Sequence, residues 1–154
     1  MQGKFRLEEA EKIAEELKEK ISPYVKKVEI VGSIRRRKPE VHDIDIVVVG
    51  KFFPQLIKGL KVTTQGQKII RGIYRGIPVD IYVSDEDSFE VIKLIRTGSA
   101  DFNKRLCTIA KQRGWKLYAG GKGLVDMNGR VIAKTERGII EALLGKYVPP
   151  EERE

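Results

Sequence analysis

Residues 43–49 read Asp43-Ile44-Asp45-Ile46-Val47-Val48-Val49, an aliphatic run carrying aspartate at two alternate positions and stopped by Gly50. The β-branched content makes this a strand. Aspartate is disfavoured inside strands, and side chains two apart share a face, so Asp43 and Asp45 stand together on one side of the sheet. Their Cα atoms lie roughly 6.5 Å apart, which lets two inclined carboxylates converge on one or two hard cations. Taken alone, the pair also fits a solvated strand end. A third acid, Asp80, occupies a similar apolar run, Ile77-Pro78-Val79-Asp80-Ile81-Tyr82-Val83. If the two strands are neighbours, three carboxylates meet on one sheet face.

Outward from this strand the pattern is α+β. Leu7, Ala10, Ile13, Leu17 and Ile21 recur at spacings of three and four, an apolar stripe on a helix that Pro23 ends. Lys27–Val31 is a short strand running into Gly32-Ser33 and a basic turn, Arg35 to Lys38, closed by Pro39. Phe53, Leu56, Ile57 and Leu60 fall at helical spacing, so a helix is expected over residues 52–60. Lys68–Tyr74 and Pro78–Val83 are strands joined tightly at Arg75-Gly76, and such close spacing favours a mixed or largely antiparallel sheet. Helices follow over 89–96 and 100–113, the second with Leu106, Ile109 and Ala110 inward. Short strands at 115–118, 124–127 and 130–133 surround the Gly120–Gly123 loop and the Asn128-Gly129 turn. Thr135 can N-cap a last helix that ends at Gly145. Two lobes are expected, residues 1–90 and 91–154.

The chain has 154 residues and a formal net charge of +8. One cysteine, Cys107, excludes an intramolecular disulfide and any cysteine-built metal cluster; the stretch MQGKFRLEEAEK lacks the apolar core expected of a signal peptide, and no run of about 18 uncharged apolar residues occurs. A cytoplasmic protein is expected, nucleoid-associated if prokaryotic. The first 90 residues carry a net charge of +2 and the remainder +6. Lys93, Arg96, Lys104, Arg105, Lys111, Arg113, Lys116 and Lys122 are opposed within 93–122 only by Asp101, which makes this stretch a candidate polyanion surface.

Three carboxylates with oxygen-only ligation fit two Mg²⁺ ions, with Mn²⁺ as substitute, in a displacement at phosphorus. Gly32-Ser33 lets a phosphate approach the backbone, and Arg35, Arg36, Arg37 and Lys38 supply counter-charge. The residues Gly32-Ser33-Ile34-Arg35-Arg36, Asp43-Ile44-Asp45, Asp80, Thr97-Gly98-Ser99 and Phe102-Asn103-Lys104 resemble the palm and thumb of family X, the polymerase beta-like DNA polymerases. The closing Tyr147-Val148-Pro149-Pro150-Glu151-Glu152-Arg153 is similar to that family's terminal Tyr-x-x-Pro-x-x-Arg pattern. The Gly-Ser and Asp-x-Asp parts belong to the wider nucleotidyltransferase superfamily, whereas Thr-Gly-Ser with a downstream Phe-Asn is specific to family X.

The resemblance implies a nucleotidyltransferase-type palm with a small α/β thumb lobe, a minimal monomeric form without an upstream lyase region. It also implies DNA-directed DNA synthesis from (d)NTPs on a primer-template or gapped DNA, in short gap filling during DNA repair. Asp43 and Asp45 would hold both metals, and Asp80 would hold the catalytic one and take the primer hydroxyl proton. Gly32, Ser33 and Arg36 would face the phosphates; His42, where this sequence departs from the family, is either a further phosphate or sugar contact or a loop-exposed histidine. Thr97, Gly98 and Ser99 would form the turn against the incoming sugar, and Asn103 would reach the base edge in the minor groove. Lys104, Arg105, Lys111, Arg113 and Lys122 would contact nucleic acid. Template-independent transfer, transfer to RNA or a small molecule, and a non-catalytic nucleic-acid-binding module are the rival readings.

The departures from the family pattern touch selectivity. Ile95-Arg96 replaces an aromatic pair, Ala100 an acidic residue, Cys107 a template-side arginine, Pro78 an arginine near the third acid, and Val41-His42 a Ser-Gly pair. Relaxed fidelity and an open choice between ribose and deoxyribose are the expected consequences.

Overall fold

The computed structural model describes residues 3–154. Strand β1 (Phe5–Arg6) leads into helix α1 (Leu7–Ile21), which buries Leu7, Ala10, Ala14, Leu17 and Ile21 on one face and gives its other faces to Glu and Lys. Glu8 and Glu9 in its first turn and Lys18 and Lys20 in its last complement the helix dipole. A 3₁₀ turn containing Pro23 follows, then β2 (Lys27–Val31), the one-turn helix α2 (Gly32–Arg35), β3 (Glu40–Val41) and β4 (Ile44–Val49).

The segment after Gly50 differs from its sequence pattern. It forms only a 3₁₀ turn at Pro54–Leu56, then β5 (Leu60–Gln65). Pro54 pushes the residue before it, Phe53, into extended backbone at φ −108 and ψ 99, and Gly59 turns the chain at φ +90, so Phe53 and Leu56 end up exposed rather than on a buried stripe. A meander of β5, β6 (Ile69–Tyr74) and β7 (Ile77–Ser84) starts at the far edge and works back, with Arg75-Gly76 as the two-residue turn. The sheet order is therefore β2-β4-β7-β6-β5, with β4 and β7 parallel and the other pairs antiparallel.

One sheet face, bearing Ile44, Ile46, Val48, Val79 and Ile81, packs with α1 in the main core. On the opposite face Val31, Val47 and Val49 pack against Phe89 of helix α3 (Phe89–Thr97). A second core, around Val91, Leu94, Phe102, Leu106, Leu117, Leu124, Ile139 and Ile140, joins α3 to α4 (Ala100–Gln112), to a three-stranded sheet of β8 (Lys116–Tyr118), β9 (Gly123–Val125) and β10 (Val131–Ala133), and to α5 (Glu136–Leu144). Helix α3 thus belongs to both cores, Phe89 to the first and Val91 and Leu94 to the second. Ser99 and Thr135 N-cap α4 and α5 through their hydroxyls, and Gly145 ends α5 in the left-handed conformation.

Candidate active site

Parallel pairing of β4 with β7 sets Asp45 directly beside Asp80. Asp43 precedes β4, and one carboxylate oxygen from each of the three acids lies within 4.8 Å of the others. The site sits on the same sheet face as Val47 and Tyr82. Asp45 is the most enclosed of the three. Burial, then the charges of Asp43 and Asp80, push its carboxyl up to about 7, although Tyr82 Oη donates a 3.3 Å hydrogen bond to its Oδ1. Burial also raises Asp80, against the attraction of the Arg71 guanidinium, whose Nε lies 3.4 Å from Asp80 Oδ1. Carboxylates held this close cannot all stay ionised without a cation between them. An all-oxygen donor set of this charge fits Mg²⁺ or Mn²⁺.

Gly32 makes the cluster possible. It has φ +68, and a Cβ there would fall 2.2 Å from Asp45 Oδ2. Only glycine lets the chain turn out of β2 while touching the acid in the neighbouring strand. Ser33 follows it in α2, half-buried beside the acids' end of the sheet.

Arg36 reaches from α2 to the turn after α3, where its Nη1 donates to the Thr97 carbonyl at 2.6 Å. Asn103 reaches the same helix end from α4, its Nδ2 donating to the Ile95 carbonyl at 2.8 Å. Among the described residues, Arg36 Nε and Asn103 Oδ1 are buried with no protein partner, so both side chains keep one unused polar atom beside the Gly98-Ser99 turn. The Thr97 side chain is turned inward: its hydroxyl donates to the Lys93 carbonyl and accepts from Arg35 Nη1. Ser99 Oγ accepts from the Phe102 backbone. Exposed His42 sets Nδ1 3.2 Å from the Gly3 carbonyl.

The basic side chains of the second half divide. Lys104, Arg105 and Lys111 are exposed along α4. Lys122 sits over the Tyr118 ring, which Lys116 also covers. Arg113 is not on that surface in the same sense: its guanidinium donates to the Ala142 carbonyl and, at 3.0 Å, to that of Leu143, closing the C-terminal end of α5.

Several contacts escape sequence reading. Arg35 pairs in bidentate fashion with Glu136, which also accepts from Arg153 Nη1 at 2.9 Å, in a network where Glu136 is 4% exposed and Arg153 is fully buried. This ties α2 to α5 and the C-terminal segment. Arg96 stacks on Tyr82 at 4.3 Å. The Arg71–Asp80 pair was legible in principle, since counting three places outward from Tyr74 and Ile77 across the two-residue turn reaches Arg71 and Asp80.

A family model described as "Nucleotidyltransferase domain" matches residues 10–105, and one described as "DNA polymerase beta thumb" matches residues 93–154. The chain belongs to the nucleotidyltransferase domain family. Within it, the fold is polymerase beta-like. Leishmania infantum polymerase beta in a ternary P/T complex is similar over 99% of this chain and 77% of its own, with TM-score 0.81 and 21% identity. The same polymerase in a ternary gap complex matches 99% and 71%, with TM-score 0.82 and 20% identity. Comparison with curated protein sequences finds no match.

Proposed function

We propose that the protein is a DNA-directed DNA polymerase of family X that extends a 3′-hydroxyl with nucleotides from (d)NTPs and serves short gap filling in DNA repair. The observation that carries this reading is the convergence of Asp43, Asp45 and Asp80 within 4.8 Å, on a palm whose thumb carries exposed Lys104, Arg105 and Lys111. Residues 1–90 act as the palm and residues 91–154 as the thumb.

Two Mg²⁺ ions, replaceable by Mn²⁺, would be held by Asp43 and Asp45 with Asp80 on one of them, and would activate the hydroxyl and stabilise the leaving pyrophosphate. Asp80, the third acid, lies nearest the open face of β6 and takes the primer hydroxyl proton. Gly32 and Ser33 cradle the triphosphate, with His42 at the rim. Arg36 would serve the same group and Asn103 a donor on the base edge; Arg36 Nε and Asn103 Oδ1 are both buried, so each side chain must swing outward to reach a ligand. Gly98 and Ser99 shape the floor under the sugar, while Thr97 holds that turn in place through its buried hydroxyl. Lys122 and the α4 cations grip the strand backbone. The departures at Ile95-Arg96, Ala100 and Cys107 support low fidelity.

Extension of gapped, recessed and single-stranded primers with each dNTP and NTP tests the reading. Synthesis that follows the template is expected, and tailing indifferent to the template would replace it with the template-independent alternative. Asp80→Asn is expected to abolish incorporation and leave duplex binding near normal.

A further inference from the structure

Arg71 is an exposed arginine that faces a catalytic carboxylate from the neighbouring strand. It sits on β6 in register with Asp80 on β7, its Nε 3.4 Å from Asp80 Oδ1, with 61% of its side chain exposed against 25% for Asp80. Strands β5 and β6 carry no acidic residue, and their charged residues are Lys61 and Arg71. Paired residues share a sheet face, so Arg71, its partner Thr64, and Ile73 with its partner Lys61 lie on the same face as Asp80. Thr64, Ile73 and Lys61 are all exposed there. A basic, solvent-open strip therefore leads to the third acid, and it fits the phosphodiester backbone of a strand whose terminal hydroxyl must reach Asp80. Arg96, the other cation drawn toward Asp80, is stacked on Tyr82.

Resting on the polymerase reading above, we propose that Arg71 is a positioning residue that holds Asp80 while no nucleic acid is bound and releases it when a strand phosphate draws the guanidinium away. The third carboxylate is then more available to a metal once the acceptor strand is seated. The exchange is easy because a pair this exposed is weak, and a phosphate offers the guanidinium charge-assisted hydrogen bonds in place of a 3.4 Å ion pair. Strand binding and metal binding at Asp80 are thereby linked, and the linkage is reciprocal.

The test is Mn²⁺ binding to the full chain, followed by electron paramagnetic resonance with and without saturating primer-template DNA, with metal bound by DNA alone subtracted and no nucleotide present. In the wild type, DNA is expected to tighten Mn²⁺ binding. Arg71→Gln should bind Mn²⁺ about two- to five-fold more tightly than the wild type without DNA, the range an exposed ion pair supports, and should gain little on adding DNA. Arg71→Lys, which keeps the charge, should restore the DNA dependence. Equal Mn²⁺ affinity and equal DNA enhancement in wild type and Arg71→Gln would overturn the coupling and leave the polymerase reading standing. A wild type that binds no duplex at all, by fluorescence anisotropy, would overturn both.

Discussion

Replacing Asp45 by asparagine should stabilise the metal-free protein while destroying its site. Asp45 is lifted from an ordinary 3.8 to about 7 by burial and by the charges of Asp43 and Asp80. About three pH units at about 1.4 kcal/mol each put the ceiling on the cost of ionising it in the fold at about 4 kcal/mol. Asparagine imitates the protonated acid and keeps an oxygen for the Tyr82 hydroxyl. Its amide must still fit beside Gly32, which trims the expected gain to about 2–4 kcal/mol at pH 8. The sign follows from linkage. A carboxyl whose folded pKa is raised binds its proton more tightly in the fold, so the wild type loses stability as pH rises from about 4 towards 7 and then levels off. The advantage of Asp45→Asn should therefore be full at pH 8 and fall by about 2–3 kcal/mol, to about 0–1 kcal/mol, at pH 5. Urea unfolding in EDTA at the two pH values measures it, and millimolar Mg²⁺ should stabilise the wild type but not the variant. A variant no more stable than the wild type at pH 8, or one whose advantage is the same at both pH values, would refute the repulsion argument.

Gly32→Ala forces a Cβ against Asp45 Oδ2 in a left-handed backbone; a stability loss of about 1–3 kcal/mol is expected by denaturation, and about a hundredfold loss in single-turnover rate from the displaced carboxylate. Glu136→Gln leaves the fully buried Arg153 without its counter-charge, so thermal melting should show a loss of about 3–5 kcal/mol. Arg35 and Arg153 hold the Glu136 carboxyl below its ordinary range against the cost of burial, so this network's contribution should be present above pH 4.5 and fade as pH falls through the lowered value. Neutralising Lys104 and Arg105 together should reduce the slope of log affinity against log salt by about 2 in DNA anisotropy titrations. Arg113→Gln should instead lower the melting temperature with little change in that slope, because Arg113 caps α5.

The sequence by itself placed most of the elements and the three acids of the candidate site. Alternation placed Asp43 and Asp45 on one face, the two-residue turn at Arg75-Gly76 aligned β6 with β7, and the Gly-Ser and Asp-x-Asp motifs pointed to the nucleotidyltransferase family. These are local properties, set by period two, period 3.6 and the backbone needs of glycine and proline. The weak point was the segment at 52–60, where helical spacing was overruled by Pro54 and Gly59.

Tertiary structure alone decided what depends on non-local register. That β7 returns parallel to β4, and so brings Asp80 to Asp45, follows from the meander entering at the far sheet edge. The hydroxyl of Thr97 turning inward, Arg113 tied to α5, and Arg35 and Arg153 meeting on Glu136 depend on how two cores meet across α3. Side chains of one type look alike in a sequence whether they bind a ligand or a neighbouring carbonyl. The partner that satisfies each buried polar atom is chosen only when packing brings distant segments together.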